Sequence, residues 1–116
     1  MRNVKIAAIQ MQCSTNLQTN LEKAEKMVRQ AAGDGVQIIL LPELFEREYF
    51  CQQRRYDFYH YAKPAEENEA VQMGVRLAKE LGVVLPISFY EKEVNNLYNS
   101  IACIDADGTI LGIYRK

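Results

Sequence analysis

The run Ile38-Ile39-Leu40-Leu41-Pro42-Glu43-Leu44-Phe45 constrains this chain more than any other stretch of it. Aliphatic residues in succession, with no polar alternation, read as a strand covered on both faces. Pro42 ends it, because proline has no N–H to give to a ladder. Glu43 is the first ionisable side chain after the run, so it falls where the strand leaves the sheet. That edge is where α/β folds gather reactive groups, and a partly buried carboxylate there is placed to act as a base. The same position also suits a solvated or helix-capping glutamate, and the stretch alone leaves both open.

Around it, strand and helix signals alternate. Residues 4–11 are strand-like, with Ile6, Ala7, Ala8 and Ile9 apolar on both faces. Leu17, Leu21, Ala24, Val28 and Ala31 then recur at three- and four-residue steps, the spacing of one helix face. Asn16 is one candidate N-cap; Thr19 with Glu22 forms a capping box that would start the helix later. Gly33-Asp34-Gly35 ends the helix, and residues 36–41 form the second strand. A second helix is predicted over 66–81, stopped by Gly82, and a third strand over 83–89. Residues 97–104 and 109–114 read as a hairpin through Asp105-Ala106-Asp107-Gly108. The order β-α-β-loop-α-β-β-β calls for one α/β domain with a mostly parallel sheet and helices packed on it.

Composition narrows the function classes. At 116 residues the chain suits a single domain with a real core. A net charge of -1 gives no electrostatic footprint for nucleic acid or an anionic membrane surface. No apolar stretch is long enough to span a bilayer, and Met1-Arg2-Asn3-Val4-Lys5 has neither the apolar segment nor the cleavage site of a signal peptide. Three irregularly spaced cysteines fit a reducing cytoplasm better than a disulfide framework. Nucleic acid and membrane are therefore not expected as partners, and a cytoplasmic location is.

The segment 44–65 is long for a compact domain, and loops of that length are usually functional. It is rich in aromatics: Phe45, Tyr49, Phe50, Tyr56, Phe58, Tyr59 and Tyr61. Such residues line pockets or bury subunit interfaces. Tyr49 and Phe50 follow Glu43 within a few extended residues, each spanning only ~3.3–3.6 Å, so they are expected to wall a pocket beside it. Tyr56, Phe58, Tyr59 and Tyr61 are expected at the domain surface or an interface.

Ile9-Gln10-Met11-Gln12, Leu40-Leu41-Pro42-Glu43-Leu44-Phe45 and Gly112-Ile113-Tyr114-Arg115-Lys116 together resemble the carbon–nitrogen hydrolase (nitrilase) superfamily over the whole chain. The finer matches are Tyr49-Phe50-Cys51-Gln52, Ala78-Lys79-Glu80-Leu81, Leu85-Pro86-Ile87-Ser88-Phe89, Tyr98-Asn99-Ser100 and Ile104-Asp105-Ala106-Asp107-Gly108. They are similar to the branch that hydrolyses the ureido group of a carbamoylated diamine. The resemblance implies the N-terminal half of an αββα four-layer sandwich, with residues 1–116 forming the first part of one domain that stops after the catalytic lysine. It also implies a Glu-Lys-Cys triad in which Glu43 is the general base and Lys116 the lysine. The nucleophilic cysteine of the family follows the lysine in a Cys-Trp-Asp-like motif. This sequence contains no tryptophan, so the thiol is expected beyond Lys116 and the chain alone is expected to be inactive. No metal or other cofactor is implied. The expected partners are a small ureido substrate and further copies of the same chain in a homo-oligomer.

The chemistry suits those residue types. Two nitrogens donate into a ureido carbonyl, so attack needs a thiolate, a base to move its proton, and a cation at the developing oxyanion. A diamine-derived substrate also carries an ammonium, which an acidic group must receive. Glu46 is the expected receiver, with Glu48 as a second candidate, although both also suit surface pairs with Arg47, Arg54 or Arg55. None of Cys13, Cys51 and Cys103 has neighbours that would clearly lower a thiol pKa, and His60, the only histidine, reads as an exposed loop residue. Two other readings stay open. One is a related ureido or amide hydrolase of the β-ureidopropionase kind, whose carboxylate-bearing substrate would call for an arginine. The other is a noncatalytic α/β assembly module.

Overall fold

Asn16 starts the first helix. Its Oδ1 accepts the Thr19 N–H at 2.9 Å, so the earlier of the two candidate starts is the one used. The computed structural model describes residues 1–48 and 56–116. Strand β1 (Ile6–Ala8), helix α1 (Leu17–Gly33) and strand β2 (Ile38–Leu40) form a βαβ unit, with Ile6 opposite Ile38 and Ala8 opposite Leu40 in a parallel ladder. Helix α2 (Glu69–Leu81) begins later than predicted, because Asn68 caps it by accepting the Val71 N–H at 3.0 Å. The preceding Ala65–Glu67 forms a separate 3₁₀ turn. Gly82, at φ 67°, supplies the left-handed residue that stops α2.

Strands β3 (Leu85–Glu93), β4 (Asn96–Ile104) and β5 (Ile110–Arg115) follow as an antiparallel meander. A parallel bridge between Ile38 and Val84 brings the start of β3 alongside β2. There the Ile39 N–H reaches the Val84 carbonyl at 3.0 Å and the Val84 N–H reaches the Gln37 carbonyl at 2.9 Å. The strands therefore succeed one another in chain order. The mostly parallel sheet expected from sequence is not what forms, since the last three strands are joined by short turns, which only antiparallel pairs allow. The β3–β4 hairpin is an addition to the predicted one: Glu93 pairs with Asn96 across the two-residue turn Val94-Asn95. Between β4 and β5 the register shifts at Cys103/Ile104, so that Ile104 faces Ile110 while Cys103 faces Gly112, leaving Leu111 as an extra residue.

One face of the sheet carries the helices. Ile39, Leu85, Ile87, Phe89, Ala102 and Ile104 are fully buried there, in one cluster with Ala24, Val28, Ala70, Leu77 and Ala78. Gly74 permits the close approach of α2, since a Cβ on it would lie 2.6 Å from Ile87 Cγ1 and 2.8 Å from Ile104 Cδ1. On the other face Ile6, Leu40 and Tyr114 stand exposed. Among the described residues, strand β2 is thus covered on one side only: Ile39 is 0% exposed and its neighbour Leu40 44%.

Candidate active site

Immediately after Pro42 the chain makes a tight, deeply anchored turn. Leu44 sits in the left-handed region at φ 51°, a conformation a leucine adopts only when its surroundings hold it there. Two contacts do so. Its side chain is buried against Tyr61 and Tyr90, and its N–H donates to Ser88 Oγ at 2.9 Å, a residue 44 positions away on β3. Phe45 fills the core next to it. Tyr61, expected at the domain surface or an interface, is half-buried and packs against Leu44, with the Arg47 guanidinium 4.2 Å above its ring.

The consequence is that Glu43 points outward. Asn99 on β4 donates its side-chain N–H to Glu43 Oε1 at 2.5 Å, and Lys116 Nζ lies 3.6 Å from the same oxygen. The structure thus brings together two residues that stand far apart in sequence. They border a cleft of about 270 Å³ on the exposed sheet face, lined also by Leu40, Ser88, Asn99 and Tyr114. The partial burial expected for Glu43 is limited among the described residues, its side chain being 45% exposed.

Strand alternation decides which side Lys116 takes. Arg115, one residue earlier, turns to the helix-bearing side and grips Glu91, with Nε–Oε1 at 2.7 Å and Nη2–Oε2 at 3.0 Å. Ser100 donates its hydroxyl to the same carboxylate at 2.8 Å. The Arg115 guanidinium, helped by Ser100 and opposed by burial, holds the Glu91 carboxyl below the usual carboxylate range. Lys116 consequently projects to the cleft side, and its backbone N–H donates to the Asn99 carbonyl at 3.0 Å.

Glu46 is placed differently. It is buried, its two carboxylate oxygens each accept from Asn68 Nδ2 at 3.3 Å, and Oε1 also accepts the Tyr90 N–H at 3.5 Å. Burial pushes its pKa up, against the pull of those hydrogen bonds. It is not among the residues that line the cleft. Tyr49, Phe50 and Cys51 lie outside the described residues, as do the side chains of Tyr56 and Phe58. Cys13 is not among the residues that line the cleft, and its thiol is pushed up by burial that Lys23 only partly offsets. Cys103 is exposed on β4, and His60 is exposed beside Tyr61.

Sequence reasoning missed Asn99, Ser88 and the Glu91–Arg115 pair as parts of the site. Tyr98-Asn99-Ser100 carried likeness but no role. The ion pair had no local signal, since Glu91 opens the charged end of β3, Glu91-Lys92-Glu93, and Arg115 ends β5.

The approach of Lys116 to Glu43 at a strand end has counterparts to be sought in known proteins. Residues 5–116 match the family described as Carbon-nitrogen hydrolase. The chain belongs to that family. Among carbon–nitrogen hydrolases and their kin, it is 51% identical to an N-carbamoylputrescine amidase of Arabidopsis thaliana over 115 residues, 99% of this chain and 38% of that protein. It is 44% identical to a citrullinase of Francisella tularensis over 116 residues, 100% of this chain and 41% of that protein. The fold superposes on a crystal structure of a carbon–nitrogen hydrolase from Helicobacter pylori G27 with a TM-score of 0.88 at 26% identity, covering 97% of this chain and 39% of that one. The chain therefore has the α/β fold of part of a carbon–nitrogen hydrolase, and spans about two-fifths of the length of these relatives.

Proposed function

We propose that the protein carrying this chain hydrolyses the ureido C–N bond of N-carbamoylputrescine, giving putrescine, CO₂ and ammonia. The observation that carries the reading is the approach of Lys116 to Glu43 across an open cleft at the end of β2. Glu43 takes the proton of a cysteine thiol supplied by sequence beyond Lys116, and the thiolate attacks the ureido carbon. Lys116 faces the oxyanion that forms, and a donor of this kind is worth ~3–4 kcal/mol in related acyl chemistry. Glu43 then passes its proton to the departing nitrogen, so ammonia leaves. Water, deprotonated by the same carboxylate, releases a carbamate that falls to CO₂ and the amine.

Residues 1–116 act in this reading as the first part of one αββα domain, and the exposed sheet face is where the remaining layers pack. Tyr49 and Phe50 wall the pocket along the butyl chain of the substrate. Glu46, turned inward onto Asn68 and Tyr90, contributes by anchoring the turn that carries the base rather than by meeting the ammonium. The enzyme is taken to be a cytoplasmic homo-oligomer, in keeping with the free thiols of Cys13 and Cys103. Among the described residues no helix is long and apolar enough to cross a membrane.

Citrulline shares the ureido group but ends in an amino acid, and the citrullinase relative makes it the competing substrate. The test is turnover of N-carbamoylputrescine, citrulline and N-carbamoyl-β-alanine by the full-length protein, side by side. A kcat/KM highest for N-carbamoylputrescine supports the reading; a preference for either carboxylate-bearing ureide overturns the substrate, and no turnover of any overturns the reaction class. Tyr49→Ala should raise KM for the diamine-derived substrate more than for a short ureide.

A further inference from the structure

We propose that Asn99 is the positioning residue that fixes which oxygen of Glu43 carries the proton. This deepens the hydrolase reading and rests on it. A carboxylate only accepts hydrogen bonds, so the Asn99 amide must present its NH₂ to Glu43, and it does so at Oε1, 2.5 Å away. Lys116 Nζ approaches that same oxygen, at 3.6 Å. Oε1 thus holds an amide donor and a neighbouring cation, both of which favour its negative charge. Oε2 has no hydrogen bond from any of the described residues and is left to receive the proton of an incoming thiol.

The placement of Asn99 is unusually well fixed. It lies on the central strand of the meander, opposite Tyr90 of β3, and its own carbonyl accepts the Lys116 N–H at 3.0 Å. A single residue therefore holds the base through its side chain and the lysine through its backbone. The next residues on the two strands, Ser100 and Arg115, face each other in the ladder and are both bound to Glu91, so the seat cannot slide along the strands without breaking that cluster. With one oxygen held by Asn99, the carboxylate plane is fixed and its other oxygen stays aimed in one direction, so the proton moves along one line from thiol to that oxygen and from it to the leaving nitrogen.

The test uses the full-length protein with N-carbamoylputrescine as substrate, and compares Asn99→Ala, Asn99→Asp and Asn99→Gln with Glu43→Gln. Asn99→Ala should lower kcat about 100-fold, the scale of a misplaced reacting group, while KM stays near wild type. Asn99→Asp has nearly the shape of asparagine but cannot donate and repels Glu43, so it should be slower still. A packing role would rank these two the other way round. Asn99→Gln, which keeps a donor, should recover part of the rate lost in Asn99→Ala. An Asn99→Asp faster than Asn99→Ala would overturn the proposal, as would a loss confined to KM or an Asn99→Gln no better than alanine. An inactive Glu43→Gln beside unaffected Asn99 variants would overturn this proposal alone. Turnover surviving in Glu43→Gln would remove the base, and this proposal with it.

Discussion

Arg115 and Glu91 form a two-pronged ion pair on the helix-bearing side of the sheet, and Lys116 follows directly, its N–H still bonded to the Asn99 carbonyl. A strand cannot turn two consecutive side chains to the same face, so whatever holds Arg115 inward holds Lys116 outward. The pair is therefore an aiming device for the cleft as well as a contact between β3 and β5.

Two buried carboxylates give stability opposite pH dependences. The folded-state pKa of Glu91 is lowered, chiefly by Arg115, so its contribution is present above the ordinary glutamate value of about 4.3 and is lost as pH falls through the lowered value. That of Glu46 is raised, chiefly by burial, so its contribution is present below about 4.3 and is lost as pH rises through the raised value. Melting temperatures of the full-length protein across acid and alkaline pH should show the two apart. Glu91→Gln should shrink the loss on the acid side; Glu46→Gln should shrink the decline as pH rises. Parallel pH profiles for wild type and both variants would count against these assignments.

Ser88→Ala should leave the Leu44 N–H buried without an acceptor, in a residue already held at positive φ. The cost is ~1–3 kcal/mol, read from denaturant unfolding. Because Leu44 adjoins Glu43, the proposed base, kcat should fall as well. Wild-type kcat with only a lowered stability would mean that the turn does not set the aim of Glu43.

Gly74→Ala tests how tightly α2 lies on the sheet. Alanine favours a helix interior by about 0.8–1 kcal/mol over glycine, which argues for stabilisation. The new methyl, however, would overlap Ile87 and Ile104, both fully buried. Overpacking of that kind costs ~1–3 kcal/mol, so net destabilisation is expected in thermal melts. A raised melting temperature would show that the layers can part at little cost.

Residues 1–116 produced by themselves should release no ammonia from N-carbamoylputrescine and should self-associate. Ile6, Leu111 and Tyr114 are 71%, 66% and 71% exposed, and the first and last of these stand on the uncovered sheet face. Ammonia release by the purified segment would overturn the expectation about its activity. A monodisperse species in light scattering that unfolds cooperatively would overturn the expectation about association.

The parts of the fold legible in sequence are those with short-range causes. Asn16 could be read as a cap because its partner is three residues away, and Glu43 could be read as a strand-end carboxylate because the apolar run stops beside it. The β3–β4 hairpin escaped because its turn holds Val94 at φ 55°, where glycine is the usual signal. Asn99, Ser88 and Glu91 escaped for a different reason. Their partners stand 56, 44 and 24 residues away, and only the register of the finished sheet brings them together. Lys116 was singled out through resemblance alone, since a lysine after an apolar strand carries no local mark, and only the finished sheet brings its Nζ to Glu43.

The extra residue Leu111 acts as a parity switch. Were the ladder to run straight from the Ile104–Ile110 pair, Arg115 would stand opposite Asn99 and share its face, and Lys116 would turn to the side of the helices. One residue of slack exchanges the two. The choice between a forked guanidinium and a compact ammonium at the cleft is thus made five residues before Lys116, by a count that is either odd or even.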